Sequence, residues 1–407
     1  MPLPSRRRAL TSLLACGLTS WADEKPGRPL PVTGDAGKGL DRLDEVMLGT
    51  LREHHIPGAA LAIATEGRLV LARGYGFADL ERRLPVQPTS IFNLASCTKA
   101  FTGAAVLRLV EQGKLGLDDR FLDAAGGVRP AGGERVDPRL RDVTVRQLLH
   151  HAGGLPRGVN EAQVAKRLRV AQPVNLHQVA AFVAGRPLDY DPGTKSVYSN
   201  LGFILLRLVV PHAAGVKSYE AFTARQVLAP MGITAMRIDL EGGYAPGEVG
   251  RYVAGKRVRA GHTLHGGGCW LASAVDAVKF LTSLDGTRGK PVLSGKMIEE
   301  MLAPLPTLPK RPNGSHTGLG WDVVRAAPKG TLYHKNGGVA GISTYMEHLP
   351  SGVNWAVLFN GSTGGHPTLS EAGDPTEDGG HKDARGAIRA AIQKASDWPE
   401  VDLFTKY

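Results

Sequence analysis

Strand patterns at both ends of the chain, separated by a long run of helical patterns, constrain the fold of this 407-residue sequence most strongly. Near the start, the apolar run 58–65, a Glu66-Gly67 turn and the run 68–76 predict a β-hairpin. Near the end, further strands are predicted over 331–337, 340–348 and 353–359. We therefore expect one antiparallel sheet built jointly from the N- and C-terminal segments.

Helical periodicity dominates the middle of the chain and flanks the predicted sheet. The predicted helices cover about 40–53, 96–111, 143–150, 175–183, 200–213, 217–229, 272–284, 294–303 and 383–394. The fold class is therefore α/β (α+β), an antiparallel sheet flanked by helices with an inserted all-helical lobe. A crevice between sheet and lobe is the expected place for chemistry.

The predicted domain organisation follows from these patterns. Residues 23–39 are polar and rich in Pro and Gly, which predicts a linker. The α/β domain is predicted to combine residues 40–125 with 285–407, and residues 126–284 to form a mainly helical domain.

The first 22 residues have the features of an export signal, with a basic run at 6–8 before a short apolar stretch. Two processing routes stay open: cleavage after Ala22, or lipidation of Cys16 in a segment that resembles a bacterial lipobox. The protein is thus expected to be exported, periplasmic or extracellular. Contact with a membrane is expected only through a lipid on Cys16.

The charge pattern argues against nucleic acid as a partner. The formal net charge is +11, but the basic residues are scattered and only 6% of residues are aromatic. The expected partner is a small-molecule or peptide substrate.

Beyond the signal, Cys97 and Cys269 remain, either as two buried thiols or as one disulfide bond.

The first chemical motif is Ser96-Cys97-Thr98-Lys99 at the start of an apolar helix. Residues three apart share a helical face, so the Lys99 amine can reach the Ser96 hydroxyl. A serine hydroxyl needs a neighbouring base to act as a nucleophile at neutral pH. Backbone N–H groups at a helix N-terminus also point toward an incoming carbonyl oxygen.

A second motif lies within residues 191–200 (DPGTKSVYSN), directly before another apolar helix. Tyr198 and Asn200 point the same way along an extended segment. A phenol beside two ammonium groups would be acidified, so Tyr198 is a candidate proton carrier. Asn200 is a candidate contact for a substrate amide and for Lys99.

The third motif is residues 334–338 (HKNGG) in a predicted strand. Its glycines would let a substrate backbone approach the strand closely. The Gly338 N–H is predicted to be an oxyanion donor. Lys335 would offer a positive charge to a substrate carboxylate or act on Tyr198.

In order and spacing, these three motifs resemble those of the serine β-lactamase and penicillin-binding protein superfamily. The middle motif, of the Y-x-N kind, is most similar to the class C branch, which includes D-alanyl-D-alanine carboxypeptidases, esterases and D-aminopeptidases. The resemblance covers about residues 40–362. It extends to the segments IPG at 56–58, 95–118, LLHHAGGLP at 148–156, GGGCWLAS at 266–273 and GLGW at 318–321.

The resemblance implies a role for each matching position. Ser96 would be the nucleophile and Lys99 with Tyr198 the acid/base pair. Substrate binding would fall to Asn200, Lys335, Asn336 and Gly337, and the oxyanion hole to the N–H groups of Ser96 and Gly338. No metal or cofactor is implied. Asn336 departs from the family pattern, in which a threonine usually helps to grip the β-lactam carboxylate.

Several functions stay open at this point. A peptidase or amidase acting on D-amino-acid peptides or similar carboxylate-bearing substrates is favoured. An esterase on small acyl esters and a class C β-lactamase are the alternatives. A non-catalytic penicillin-binding sensor is disfavoured because Ser96, Lys99 and Tyr198 are all present. The histidine pairs at 54–55, 150–151 and 262/265 lack the pattern of a zinc hydrolase and are interpreted as loop and packing residues.

Overall fold

The sheet that both ends of the chain were expected to share is present in the computed structural model. The structure describes residues 29–131, 135–238, 246–258, 270–289, 291–309, 311, 314–326, 330–362, 384–395 and 397–407. The strands are β1 (Val32–Ala36), β2 (Gly58–Thr65), β3 (Arg68–Asp79), β4 (Leu84–Pro85), β5 (Phe92–Asn93), β6 (Arg237–Ile238), β7 (Arg251–Val253), β8 (Lys256–Val258), β9 (Trp270–Ala272), β10 (Ser315–Thr317), β11 (Asp322–Ala326), β12 (Gly330–Val339), β13 (Ile342–His348), β14 (Asn354–Phe359) and β15 (Gly361–Ser362).

The main sheet is antiparallel and runs in the order β1-β3-β2-β14-β13-β12-β11-β10. The N- and C-terminal segments meet where β2 pairs with β14. Asn360 fastens this junction: Gly58 N–H donates to Asn360 Oδ1 over 2.8 Å, and Asn360 Nδ2 donates to Phe77 O over 2.9 Å. The predicted fold class, an antiparallel sheet flanked by helices, is confirmed.

Helices cover both faces of the sheet and form the lobe. They are α1 (Asp41–Glu53), α2 (Thr98–Glu111), α3 (Phe121–Ala124), α4 (Val145–Leu149), α5 (Glu161–Leu168), α6 (Leu176–Ala184), α7 (Asn200–Ala214), α8 (Tyr219–Thr223), α9 (Ala274–Leu284), α10 (Gly295–Met301) and α11 (Ala384–Gln393). Among the described residues, no single helix has the length and apolar character to cross a membrane. The pair 200–214 and 219–231 reaches that length only across a 69° bend.

The alternation of side chains along β2 shows why the sheet is covered on both sides. All eight residues of β2 are buried. Ala60 and Ala62 belong to the core on the side of α2 and α9, whereas Leu61 and Ile63 belong to the second core with residues of α1 and α11. Successive side chains of a strand face opposite sides, so a strand covered on both sides reads as a continuous apolar run.

The predicted linker 23–39 is corrected by the structure, because its described part contains β1. Val32–Ala36 pairs with β3 along the edge of the sheet. Gly34 has φ +80° and lies against the Ala72 carbonyl, where a Cβ would approach to 2.2 Å. Composition rich in Pro and Gly predicts a loop, but it also suits an edge strand whose backbone passes close to its neighbours.

The predicted boundary at residue 284 also differs from the structure. Helix α9 falls in the range predicted for the helical domain, yet it packs on β2 and β14 of the sheet. Phe280 of α9 stacks on Phe101 of α2 at 4.0 Å between ring centres. An amphipathic pattern predicts that a helix has a partner without indicating which layer supplies it. Helix α2 in turn contacts α7 of the lobe and lies at the junction where the candidate site is found.

Candidate active site

Ser96 lies in a tight turn between a short strand and α2. Residues 95–97 form one turn of 3-10 helix, and Ala95 has φ +46°, in the left-handed region that side chains other than glycine rarely occupy. The turn is held because Ala95 N–H donates to Asn93 Oδ1 over 2.8 Å and Leu94 N–H donates to Trp270 O over 2.8 Å. Strain of this kind persists only where the surroundings fix it, and it often marks a functional residue.

Two side chains, Tyr198 and Lys99, contact the Ser96 hydroxyl. Tyr198 OH lies 2.6 Å from Ser96 Oγ, and Lys99 Nζ donates to the same oxygen over 3.1 Å. Lys99 Nζ also donates to Asn200 Oδ1 over 2.8 Å, and the lysine is fully buried. A serine is activated as a nucleophile when a group that can accept its proton lies within hydrogen-bonding distance. Tyr198 and Lys99 both lie within that distance of Ser96 Oγ.

Two lysines flank the ring of Tyr198. Lys99 Nζ is 4.9 Å and Lys335 Nζ is 5.7 Å from the ring centre. Positive charge at these distances stabilises a phenolate, so the arrangement suits Tyr198 to receive a proton from Ser96. The two lysines come from α2 and β12, and a third cation, Arg157, has its Cζ 5.3 Å from the same ring centre.

The segment that carries Tyr198 is fixed by the LLHHAGGLP segment at 148–156. Val197 N–H donates to His151 O over 3.0 Å, and Ser199 N–H donates to His151 Nδ1 over 3.2 Å. The His151 ring lies 4.7 Å from the Tyr198 ring. Burial, with Lys335 and Lys99 nearby, holds the pKa of His151 well below its usual value, so this imidazole is neutral. Ser199 then caps α7 by accepting from Gly202 N–H, which starts the helix at Asn200.

Strand β12 forms the opposite wall of the site. A Cβ at Gly337 would stand 2.5 Å from Leu94 O and 2.7 Å from the Ser96 nitrogen, so the strand backbone passes directly beside the nucleophile. Gly338 follows in the strand, opposite Ser343. A backbone N–H at each side of a reacting carbonyl is the general form of an oxyanion hole. Asn336, half-buried, lies between Lys335 and Gly337 and opposite Tyr345.

Lys335 is bound to a residue that the sequence patterns did not reveal. Its Nζ donates to Asp322 Oδ2 over 2.9 Å. Asp322 directly follows the GLGW segment at 318–321, and β11 pairs with β12 there. In the sequence, only the position of Asp322 next to the GLGW segment pointed to a role at the site. That position does not show that β11 lies beside β12.

The predicted site residues are thus brought together from separate parts of the chain. Ser96, Lys99, Tyr198 and Asn200 are joined by direct hydrogen bonds, and the 335–338 segment lies alongside them. Their individual roles stay predictions.

His334, beside the site in sequence, is buried with neither ring nitrogen hydrogen-bonded, and burial lowers its pKa to about 4. His150 and His151 are buried and hydrogen-bonded, as packing residues would be. Across the described ranges, no group of three or more His, Cys, Asp or Glu could hold a metal ion. His262, His265, Cys269 and the predicted export signal lie outside the described residues.

Cys97 is a free, buried thiol directly after Ser96. Its Sγ donates to Lys335 O over 3.2 Å, which links the start of α2 to β12. Burial raises the pKa of Cys97 to about 12, so it carries no thiolate at neutral pH.

Comparison with known proteins finds similar sequences and similar folds. Protein flp of Staphylococcus aureus (strain N315) is 31% identical over 205 residues, which is 50% of this chain and 38% of flp. The chain therefore spans well under half the length of this curated relative. A solved octameric penicillin-binding protein homologue from Pyrococcus abyssi has a TM-score of 0.66 at 25% identity, over 81% of this chain and 74% of that one.

A third similar protein supports the fold. A β-lactamase/D-alanine carboxypeptidase from Pseudomonas syringae has a TM-score of 0.69 at 18% identity, over 88% of this chain and 99% of that one. The family model described as Beta-lactamase matches residues 40–373, which is most of the chain and includes every predicted site residue. The chain belongs to the β-lactamase family, within the β-lactamase and penicillin-binding protein superfamily of serine hydrolases.

Proposed function

We propose that this protein is a serine hydrolase that cleaves amide bonds of D-amino-acid peptides through an acyl-enzyme on Ser96. The observation that carries the proposal is the position of Ser96 Oγ, 2.6 Å from Tyr198 OH and 3.1 Å from Lys99 Nζ. Members of the family are generally serine hydrolases. The D-peptide substrate is suggested by the name of a similar protein, the β-lactamase/D-alanine carboxypeptidase from Pseudomonas syringae.

The proposed reaction assigns each proton to a group of this chain. Tyr198, with Lys99, accepts the Ser96 proton as Oγ attacks the substrate carbonyl. The N–H groups of Ser96 and Gly338 hold the resulting oxyanion. The proton then passes to the leaving nitrogen, the C–N bond breaks and the acyl group stays on Ser96. A water molecule, deprotonated by the same pair, then attacks the acyl carbonyl. The bond from that carbonyl to Ser96 Oγ breaks, Oγ takes the proton back and the acid leaves.

The nucleophile is tested with a fluorescent fluorophosphonate and a fluorescent penicillin. We expect the wild type to be labelled, Ser96→Ala not to be labelled, and Ser218→Ala to be labelled like the wild type. Ser218 is a matched control because it caps α8 in the lobe. Unchanged labelling of Ser96→Ala, or no labelling of the wild type, would overturn the acyl-enzyme.

The substrate class is tested separately. D-Ala-D-Ala peptides, their L-Ala counterparts, p-nitrophenyl esters and nitrocefin are compared by kcat/KM. Preference for the D-peptides supports the proposal. Preference for the esters or for nitrocefin would replace it by the esterase or β-lactamase alternative while leaving Ser96 as the nucleophile.

A further inference from the structure

In the ion pair between Lys335 and Asp322, the carboxylate is more exposed to solvent than the ammonium. Lys335 Nζ and Asp322 Oδ2 are 2.9 Å apart, and the side chains are 2% and 32% exposed, respectively. Lys335 Nζ also lies 5.7 Å from the centre of the Tyr198 ring, so the pair stands beside the proposed proton acceptor. A substrate group that reaches this point meets a partly exposed carboxylate and a buried ammonium.

Both members of the pair are charged at neutral pH. Burial raises the pKa of Asp322 and the Lys335 ammonium lowers it; the ammonium prevails, which leaves the pKa at about 2. Burial lowers the pKa of Lys335, but Asp322 and Tyr198 raise it above its usual value. The positive charge of Lys335 is therefore already balanced before any substrate arrives.

We propose that Asp322 is a specificity-determining residue that selects against a free carboxylate on the part of the substrate that reaches Lys335. This inference rests on the proposed function and narrows it: the preferred substrates carry an uncharged or cationic group at that point, such as a capped peptide amide. A substrate carboxylate would have to share one ammonium with Asp322, and like charges in contact lower affinity.

Two other cations lie beside Tyr198: Arg157, whose Cζ is 5.3 Å from the ring centre, and Lys99. Lys99 is fully buried and donates to Ser96 Oγ and Asn200 Oδ1. Its charge is directed to the nucleophile, whereas the Lys335 ammonium is in contact with Asp322. Next to β12, a substrate group therefore meets the Lys335–Asp322 ion pair rather than an unpaired ammonium.

The test compares acylation of Ser96 by an anionic and a neutral probe. A fluorescent penicillin carries a carboxylate, and a fluorescent fluorophosphonate ester is uncharged. For Asp322→Asn we expect the second-order rate of penicillin labelling to rise about tenfold, because the repulsion is removed, while fluorophosphonate labelling stays within about twofold. The same shift is expected in KM, rather than kcat, for Ac-D-Ala-D-Ala relative to its C-terminal carboxamide.

Three further variants separate specificity from a structural effect. Asp322→Glu keeps the charge and should retain the wild-type ratio of the two labelling rates. Asp142→Asn removes an exposed carboxylate from the ion pair with Arg120 and should leave the ratio unchanged. In Lys335→Met, the added Asp322→Asn change should still raise penicillin labelling relative to fluorophosphonate labelling, because the repelling carboxylate is Asp322 itself.

Either of two results would overturn the inference: equal changes for both probes in Asp322→Asn, or a labelling ratio in Asp322→Glu that shifts as far as it does in Asp322→Asn. Failure of the proposed function looks different. If the wild type is labelled but cleaves neither peptide, the D-peptide substrate is wrong, and the labelling ratio still decides the role of Asp322.

Discussion

Asn200 Oδ1 accepts a hydrogen bond from Lys99 Nζ over 2.8 Å, so the first residue of α7 orients the amine carried by α2. This contact crosses from the helical lobe to the helix that carries the nucleophile. It makes the position of the lysine depend on the packing of the two helices, which contact each other directly.

Asn200→Ala is expected to lower kcat by about 10²-fold, since an acid/base group that loses its orientation loses much of its contribution. The helix should remain, because its cap is Ser199. Steady-state kinetics with the best substrate of the panel provide the measurement. Asn160→Ala, which removes the cap of α5, is the matched control. Activity of Asn200→Ala within threefold of the wild type would contradict the prediction.

Gly337→Ala is expected to lower kcat by at least about 10²-fold, the range for loss of an oxyanion donor. The new Cβ would stand 2.7 Å from the Ser96 nitrogen and 2.6 Å from Thr344 Oγ1, so the strand or the turn must shift. Rates of fluorophosphonate labelling measure the loss directly. Gly49→Ala in α1, where a Cβ meets open space, is the control. If Gly337→Ala were labelled at the wild-type rate, strand β12 would tolerate a side chain beside Ser96 and the prediction would be wrong.

The contacts of the site were predictable from the sequence where the chemistry requires a fixed spacing between residues. Ser96 and Lys99 are three residues apart on one turn, which predicted their contact, whereas the place of Tyr198 beside them was implied by the resemblance to the family. Asp322 was missed because its role depends on the pairing of β11 with β12, and an aspartate at a strand start has many local uses. The left-handed Ala95 was missed for a similar reason, since alanine gives no sign of positive φ.

The fold was predictable to the extent that local pattern determined it. The hairpin of β2 and β3 and helix α7 were predicted from alternation, turn residues and periodicity. Strand β1 was not, because five half-buried residues at a sheet edge show no apolar pattern. The layer to which α9 belongs was also not predictable, because both sides of the junction are apolar.

His334→Leu should flatten the acid side of the stability profile. Burial lowers the pKa of His334 to about 4, so between about pH 6.5 and 4 the unfolded chain binds a proton that the folded chain does not. The free energy of unfolding therefore falls as the pH falls, by up to about 1.4 kcal/mol per pH unit for this residue.

Urea unfolding at pH 7, 5.5 and 4.5 measures that slope. Leucine leaves no new unpaired group, since neither ring nitrogen of His334 is hydrogen-bonded. His177→Leu removes an exposed imidazole and is the control. Parallel profiles for His334→Leu and the wild type would refute the assignment.

Glu347→Ala is expected to destabilise the fold by about 3–5 kcal/mol, because it leaves a buried charge without its partner. Glu347 is fully buried and accepts from Tyr345 OH at 2.6 Å, Trp355 Nε1 at 2.8 Å and Arg389 Nε at 2.8 Å. Thermal and urea unfolding measure the loss. Glu66→Ala, from an exposed pair with Arg68, should change stability by less than about 0.5 kcal/mol.

The hydrogen bonds of the Asn360 amide constrain the order in which parts of the protein can fold. The amide joins Gly58, 302 positions earlier in the chain, to the end of β14. Closure of so long a loop is slow, and most of the chain must exist before it can occur. An N-terminal piece that contains Ser96 and Lys99 but ends before β12 has no strand wall beside its nucleophile. Recovery of activity during refolding should therefore report the joining of the two ends of the sheet.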